Sequence, residues 1–158
     1  MEVFEAVRQV FGGTVGMRIS GTDWVDGGWT IEETAELAVR LKAAGAQYVH
    51  VSSGGVSPLQ KITLAPEYQV PLAKVVRQRS GLATFAVGLI TEPQQAEAVL
   101  ARGDADLVAL ARTFLYKPRW GWEAAAALNG QVTAKEQYWR CMPREAQHIF
   151  TDVRIGAR

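Results

Sequence analysis

Two short apolar runs, AVGLI at 86–90 and VALAR at 108–112, each hold a residue that a plain strand has no use for. Gly88 leaves bare backbone in the first, and Arg112 ends the second with a permanent cation. A glycine lets backbone N–H groups come close to an anion. A guanidinium pairs its planar fork with phosphate oxygens. Each residue alone has a plainer explanation: Gly88 relieves crowding between packed elements, and Arg112 closes a strand end. Taken together, in consecutive units, they point to a phosphate.

These residues must be positioned by something, and the pattern around them is repetitive. Strand candidates fall at 14–20 (TVGMRIS), 48–53 (YVHVSS), 83–90 (ATFAVGLI) and 106–112 (DLVALAR). Helical segments lie between them. Residues 1–13 form an amphipathic helix pattern with acids in its first turn. Thr30 and Glu33 make a capping box, with Ile31, Ala35, Ala38, Leu41 and Ala44 along one face and Gly45 placed to end the helix. A further helix is expected around 70–79, and Thr91 with Gln94 reads as a second capping box. Strands alternating with helices, each strand nearly continuous in apolar residues, predict an α/β chain with a parallel sheet covered on both faces. Four βα units make half of a (β/α)8 TIM barrel or a small doubly wound sheet. No G-x-G-x-x-G follows the first strand, which weakens a dinucleotide fold. In a βα barrel the chemistry sits at the C-terminal strand ends, and a phosphate often binds between late βα loops, where Gly88 and Arg112 fall. The expected division is a half-barrel over 1–134 and a docking tail over 135–158, rich in Arg, Trp and Met.

Composition excludes several function classes. The chain has 158 residues with a formal net charge of +1, so no bulk electrostatic case exists for nucleic acid or an acidic membrane. Cys141 is the single cysteine, so no internal disulfide can form, and no base is visible beside it to make it a nucleophile. His50 and His148 stand far apart with no metal-ligand spacing, and no metal is expected. No apolar run approaches the roughly 20 residues of a membrane span. The reading is a cytoplasmic protein without a signal peptide.

Six segments in order, GMRISGTDW (16–24), VHVSSGG (49–55), YQVPLAKVVR (68–77), FAVGLIT (85–91), ADLVALARTFLYKPRW (105–120) and QYWR (137–140), resemble the C-terminal half of the old yellow enzyme family. These are FMN-dependent ene-reductases, and the likeness is to the bacterial branch. The resemblance implies a (β/α)8 barrel in the full protein, FMN as cofactor, NADPH or NADH as reductant, and a small activated alkene as substrate. It implies that Arg18 faces the electron-rich edge of the flavin ring, where a fixed cation stabilises the reduced form; the alternative is a strand-end arginine paired with an acid. Ser52, Ser53 and Gly54 would end the second strand beside the flavin, or be plain turn residues. Gly88, Ala111 and Arg112 would hold the phosphate. Ala111 stands where many members carry glycine, which matters if that backbone needs positive φ. Tyr138, Trp139 and Arg140 match a segment that reaches a neighbouring subunit's active site, with Arg140 projecting; Trp139 reads equally well as a core aromatic. Trp24 and Trp29 sit in the loop over the expected mouth, and Trp120 and Trp122 are expected to pack the last helix.

The same resemblance implies a barrel roughly twice this long. The substrate-anchoring His/His or His/Asn pair belongs to the first four strands and maps to no residue here. His50, alone inside a strand, is expected to be a packed or satisfied barrel histidine. A half-barrel has two open sheet edges and an uncovered inner face, so completion by self-association or by a complementary chain is expected over a stable monomer. Two function classes follow. In one, the chain is the C-terminal half of an FMN-dependent NAD(P)H ene-reductase. In the other, it is a catalytically inactive half-barrel that at most binds FMN or phosphate. A third option is another phosphate-binding βα barrel, which flavin colour would separate from the first.

Overall fold

The computed structural model describes residues 1–141 and 143–151, apart from the side chain of Gln147. Residues 142 and 152–158 of the expected docking tail lie outside the described residues. Four strands form one parallel sheet in chain order: β1 (Gly16–Ser20), β2 (Tyr48–Ser52), β3 (Ala83–Ala86) and β4 (Leu107–Val108). The helices are α1 (Glu2–Val10), α2 (Ile31–Ala43), α3 (Val70–Ser80), α4 (Pro93–Ala101), α5 (Arg112–Tyr116) and α6 (Trp120–Ala127). Two 3-10 turns follow, Glu136–Cys141 and Arg144–Ile149. The chain divides into two compact units, residues 1–90 with 96–110 and residues 91–95 with 111–158.

In the first unit, alternation along the strands sorts side chains onto two faces. Ile19, Val49, Val51, Thr84 and Ala86 point to the buried one. Opposite them lie Ala35, Ala38 and Leu41 of α2 and Val70, Ala73 and Val76 of α3, all buried. These helices start and stop where local chemistry dictates. The Thr30 backbone N–H donates to Glu33 Oε2 at 2.8 Å and the Glu33 N–H donates to Thr30 Oγ1 at 3.3 Å, completing the expected capping box. Gly81 closes α3 in a left-handed turn at φ +62°, a conformation that costs a side-chain-bearing residue more than glycine.

The other face is different. Register places Arg18 opposite His50, His50 opposite Phe85, and Phe85 opposite Leu107. Tyr48 and Phe85 meet edge-on at 5.5 Å. A Cβ on Gly16 would sit 2.5 Å from the Tyr48 ring, so the ring occupies the space a side chain there would need. Arg18 and Leu107 are exposed at the two ends of this row, while His50 and Phe85 between them are half-buried.

Two strands are shorter than their apolar runs. β3 stops at Ala86 and Gly88 lies beyond it at φ +123°, outside the extended region. β4 is two residues long, the last ladder bond being Ala109 N–H to the Ala86 carbonyl at 2.7 Å. Arg112 is therefore not a strand end but the first residue of α5. The expected Thr91–Gln94 box also differs, because the Thr91 N–H donates to Gln95 Oε1 at 3.0 Å.

In the second unit, Trp120 is buried and its indole N–H donates to the Thr91 carbonyl at 2.7 Å. Trp122 packs edge-on against Phe150 at 5.2 Å and Tyr138 at 5.6 Å. Both tryptophans thus pack α6, as the sequence leads one to expect. Among the described residues no helix is long and apolar enough to cross a membrane.

Candidate functional site

Arg18 is carried by β1, exposed, on the face opposite Ile19 and the buried residues of α2 and α3. Its Nε–H donates to Ser52 Oγ at 3.0 Å. No acid pairs with it among the described residues, and its terminal nitrogens carry no bond there. His50, directly opposite in register, is half-buried with its Nε2 buried and unpartnered. Burial first, and the Arg18 charge second, push its pKa below the usual histidine value of 6.5. His50 is thus packed, against Phe85 at 6.0 Å, but not satisfied. The result is one permanent cation beside a neutral imidazole on an apolar sheet.

The strand ends nearby are tied together by a residue that the sequence does not single out. Ser53 Oγ donates to Gln69 Oε1 at 2.8 Å. Gln69 is buried, and a Cβ on Gly88 would lie 3.1 Å from its backbone nitrogen and from its Nε2. One glutamine thus bonds to the residue after β2 and lies beside Gly88, two residues past the end of β3. The Gly88 carbonyl accepts from the Glu67 N–H at 2.8 Å, while the Gly88 N–H has no partner among the described residues. Glycine at 88 is explained twice over, by its positive φ and by the approach of Gln69. Gly54 also has positive φ, +89°, and a Cβ there would meet Ile62 Cδ1 at 2.9 Å. The glutamine lies inside YQVPLAKVVR, a stretch that carries the family resemblance but does not mark Gln69 itself beyond its being a polar residue just before a helix.

In the second unit, Ala111 is the N-cap of α5 with φ −110°, so its backbone does not take the positive φ that would favour glycine. Arg112 follows it, exposed, with no side-chain bond among the described residues. Tyr138 is held within its own chain: the Arg119 guanidinium stands 4.3 Å from its ring centroid and 4.5 Å from that of Trp122. Arg119 first, then Gln137, lower the Tyr138 pKa by hydrogen bonding. The Trp139 indole N–H donates to the Ala134 carbonyl at 2.9 Å, and Arg140 is exposed. Within the first unit the structure therefore brings together Arg18, Ser52 and His50 on one face and Ser53, Gln69 and Gly88 at the strand ends. Ala111, Arg112, Tyr138, Trp139 and Arg140 belong to the second.

Residues 1–131 match the family described as NADH:flavin oxidoreductase / NADH oxidase. The chain is 44% identical over 139 residues to an NADPH dehydrogenase of Geobacillus sp. (strain WCH70), covering 88% of this chain and 41% of that one. An NADPH dehydrogenase of Listeria innocua is 37% identical over the same extent. Among solved structures, 2-naphthoyl-CoA reductase in complex with 2-naphthoyl-CoA superposes with a TM-score of 0.67 at 26% identity, covering 74% of this chain and 19% of that one. The chain thus spans about 41% of the length of the NADPH dehydrogenases it matches, and its parallel βα units are part of a barrel rather than a whole one. With residues 1–131 matched and the βα order intact, the chain belongs to the NADH:flavin oxidoreductase family, of the old yellow enzyme type.

Proposed function

We propose that this chain is the C-terminal portion of an FMN-dependent NAD(P)H oxidoreductase that reduces activated alkenes, and that it contributes the cation facing the flavin. The observation that carries this reading is Arg18. It stands exposed on the sheet, anchored through Nε, with its terminal N–H groups unengaged among the described residues. Such a preorganised donor fits a ring edge that gains negative charge on reduction. The bound flavin would supply hydride transfer between NAD(P)H and substrate. The chain's own residues bind and orient: Arg18 meets developing charge, and Ser53 and Gly54 shape the wall at the end of β2. Gly88 offers a backbone N–H, and Arg112 offers a charged fork for a phosphate. Tyr138, Trp139 and Arg140 are assigned to the substrate side, at a subunit boundary.

A second reading has its own support. The substrate-anchoring pair that the family resemblance assigns to earlier strands is not among these residues, and Arg18 and Leu107 at the ends of the row Arg18–His50–Phe85–Leu107 are exposed. On that reading the chain alone is an inactive half-barrel that closes against a second copy or a complementary chain.

The deciding experiment is to purify the chain, add FMN, remove the excess, and record its absorbance spectrum and its mass in solution. Retained flavin on an oligomer supports the first reading, and Arg112→Ala should then weaken FMN binding by at least tenfold, on the order of 1.4 kcal/mol for a lost charge-assisted contact. Unchanged affinity in that variant would remove the phosphate assignment. No flavin at any FMN concentration supports the inactive half-barrel.

A further inference from the structure

Arg18 and His50 are register partners, yet the hydrogen bond of Arg18 does not go to His50. It goes to Ser52, which pairs in register with Ser20, two residues further along the strand. The arginine side chain is therefore drawn diagonally, toward the C-terminal end of the sheet. That is the end where βα barrels place their chemistry. Three facts make this bond directional. It uses Nε, whose position in the guanidinium plane fixes the rotation of the terminal fork. It ends on a short hydroxyl borne by the last residue of β2. No acid competes for the guanidinium among the described residues.

We propose that Ser52 is a positioning residue: it aims Arg18 at the C-terminal mouth of the sheet and leaves both terminal nitrogens of the guanidinium to face a ligand. Without the Ser52 hydroxyl, Arg18 has no side-chain anchor among the described residues and samples rotamers that point its charge elsewhere along the face. His50 contributes by what it lacks. As a neutral imidazole it neither repels the guanidinium nor competes as a second cation. The other groups facing it are Tyr48 on its own strand and Phe85 on β3, which add no charge.

The consequence for reduction rests on the flavin reading above, whereas the positioning itself does not, and the test separates them. In the ligand-free chain, NMR should show an Arg18 Nε–H resonance slowed in exchange, assigned by its disappearance in Arg18→Gln. It should persist in Ser52→Thr, which keeps the hydroxyl, and vanish in Ser52→Ala. With FMN bound, Ser52→Ala and Arg18→Gln should each lower the two-electron midpoint potential. A tenfold loss of preference for the reduced form corresponds to about 30 mV. Ser52→Thr should stay near the parent, and the double variant should go no lower than Arg18→Gln alone. A protected resonance that survives Ser52→Ala, or potential shifts that add in the double variant, would overturn the proposal. If the NMR result holds while Arg18→Gln leaves the potential unchanged, or no flavin binds, positioning stands and the flavin reading falls.

Discussion

Ser53 and Gln69 share a 2.8 Å hydrogen bond that joins the end of β2 to the start of α3, and the same glutamine fills the space a side chain at Gly88, past the end of β3, would need. Gln69 is buried, and its carbonyl oxygen depends on that hydroxyl. Gln69→Ala removes the acceptor and opens space beside Gly88. It should destabilise the chain by about 1–3 kcal/mol, the range for breaking a buried polar pair. Chemical denaturation monitored by tryptophan fluorescence checks this, and an unchanged midpoint would show that the strand ends hold without the glutamine.

His50 should make stability sensitive to mild acid. Its folded pKa lies below 6.5, so the folded state binds fewer protons than the unfolded chain as pH drops. The stability is fully present above 6.5 and is lost as pH falls through that value toward the folded pKa. Thermal melts between pH 7 and pH 5 should show a declining Tm in the parent and a flatter profile in His50→Asn. Arg18→Gln should narrow the difference, because the smaller of the two causes is then gone. Parallel profiles for all three proteins would refute the assignment.

A separate acid limb belongs to Asp106. Arg77 donates to both of its oxygens, at 3.0 Å from Nε and 2.9 Å from Nη2, and the Thr84 N–H donates to Oδ2 at 2.9 Å. These bonds hold its pKa below 3.8, the Arg77 hydrogen bond being the main cause. The stabilisation is present above 3.8 and disappears as pH falls through the lowered value. Asp106→Asn should lower stability near pH 6 and shrink the difference from the parent at the acid end. An equal difference across that range would mean that the charge is irrelevant.

Within the second unit, the Trp120 indole bond to the Thr91 carbonyl can be removed with little change in packing. Trp120→Phe should cost about 1–3 kcal/mol, combining the lost hydrogen bond with some lost ring area. Hydrogen exchange read segment by segment should show faster exchange in α6 of that variant. Exchange unchanged there would mean that the bond contributes nothing measurable.

The parallel sheet was legible because buried strands write themselves as apolar runs between capping residues. Thr30 and Glu33 bond as the pattern predicts, since both sides of a capping box are local. What depended on φ was misread. Gly88 continues an apolar run in sequence but leaves the strand at +123°, and Arg112 begins a helix because the ladder ends at Ala109. Gln95 takes the role expected of Gln94, one residue away on the same helical turn. Of the site, Arg18 was readable as a cation out of place on a strand. Ser52 as its partner was not, because a diagonal contact between strands depends on register, which no single strand encodes. The role of Gln69 was not legible either: it lies in a stretch that carries the family resemblance, but one buried polar residue makes no periodic pattern that marks it.

The spatial order of the strands equals their order in the chain. Each strand after the first therefore finds its neighbour already synthesised, and no strand must wait for a later one to be flanked on its earlier side. Assembly can proceed like courses of brick, each βα unit laid against the last, with loop closures that stay short at every stage. Among the described residues only β1 and β4 are left with a single neighbour within the sheet, so both margins present backbone groups that a further strand could pair with.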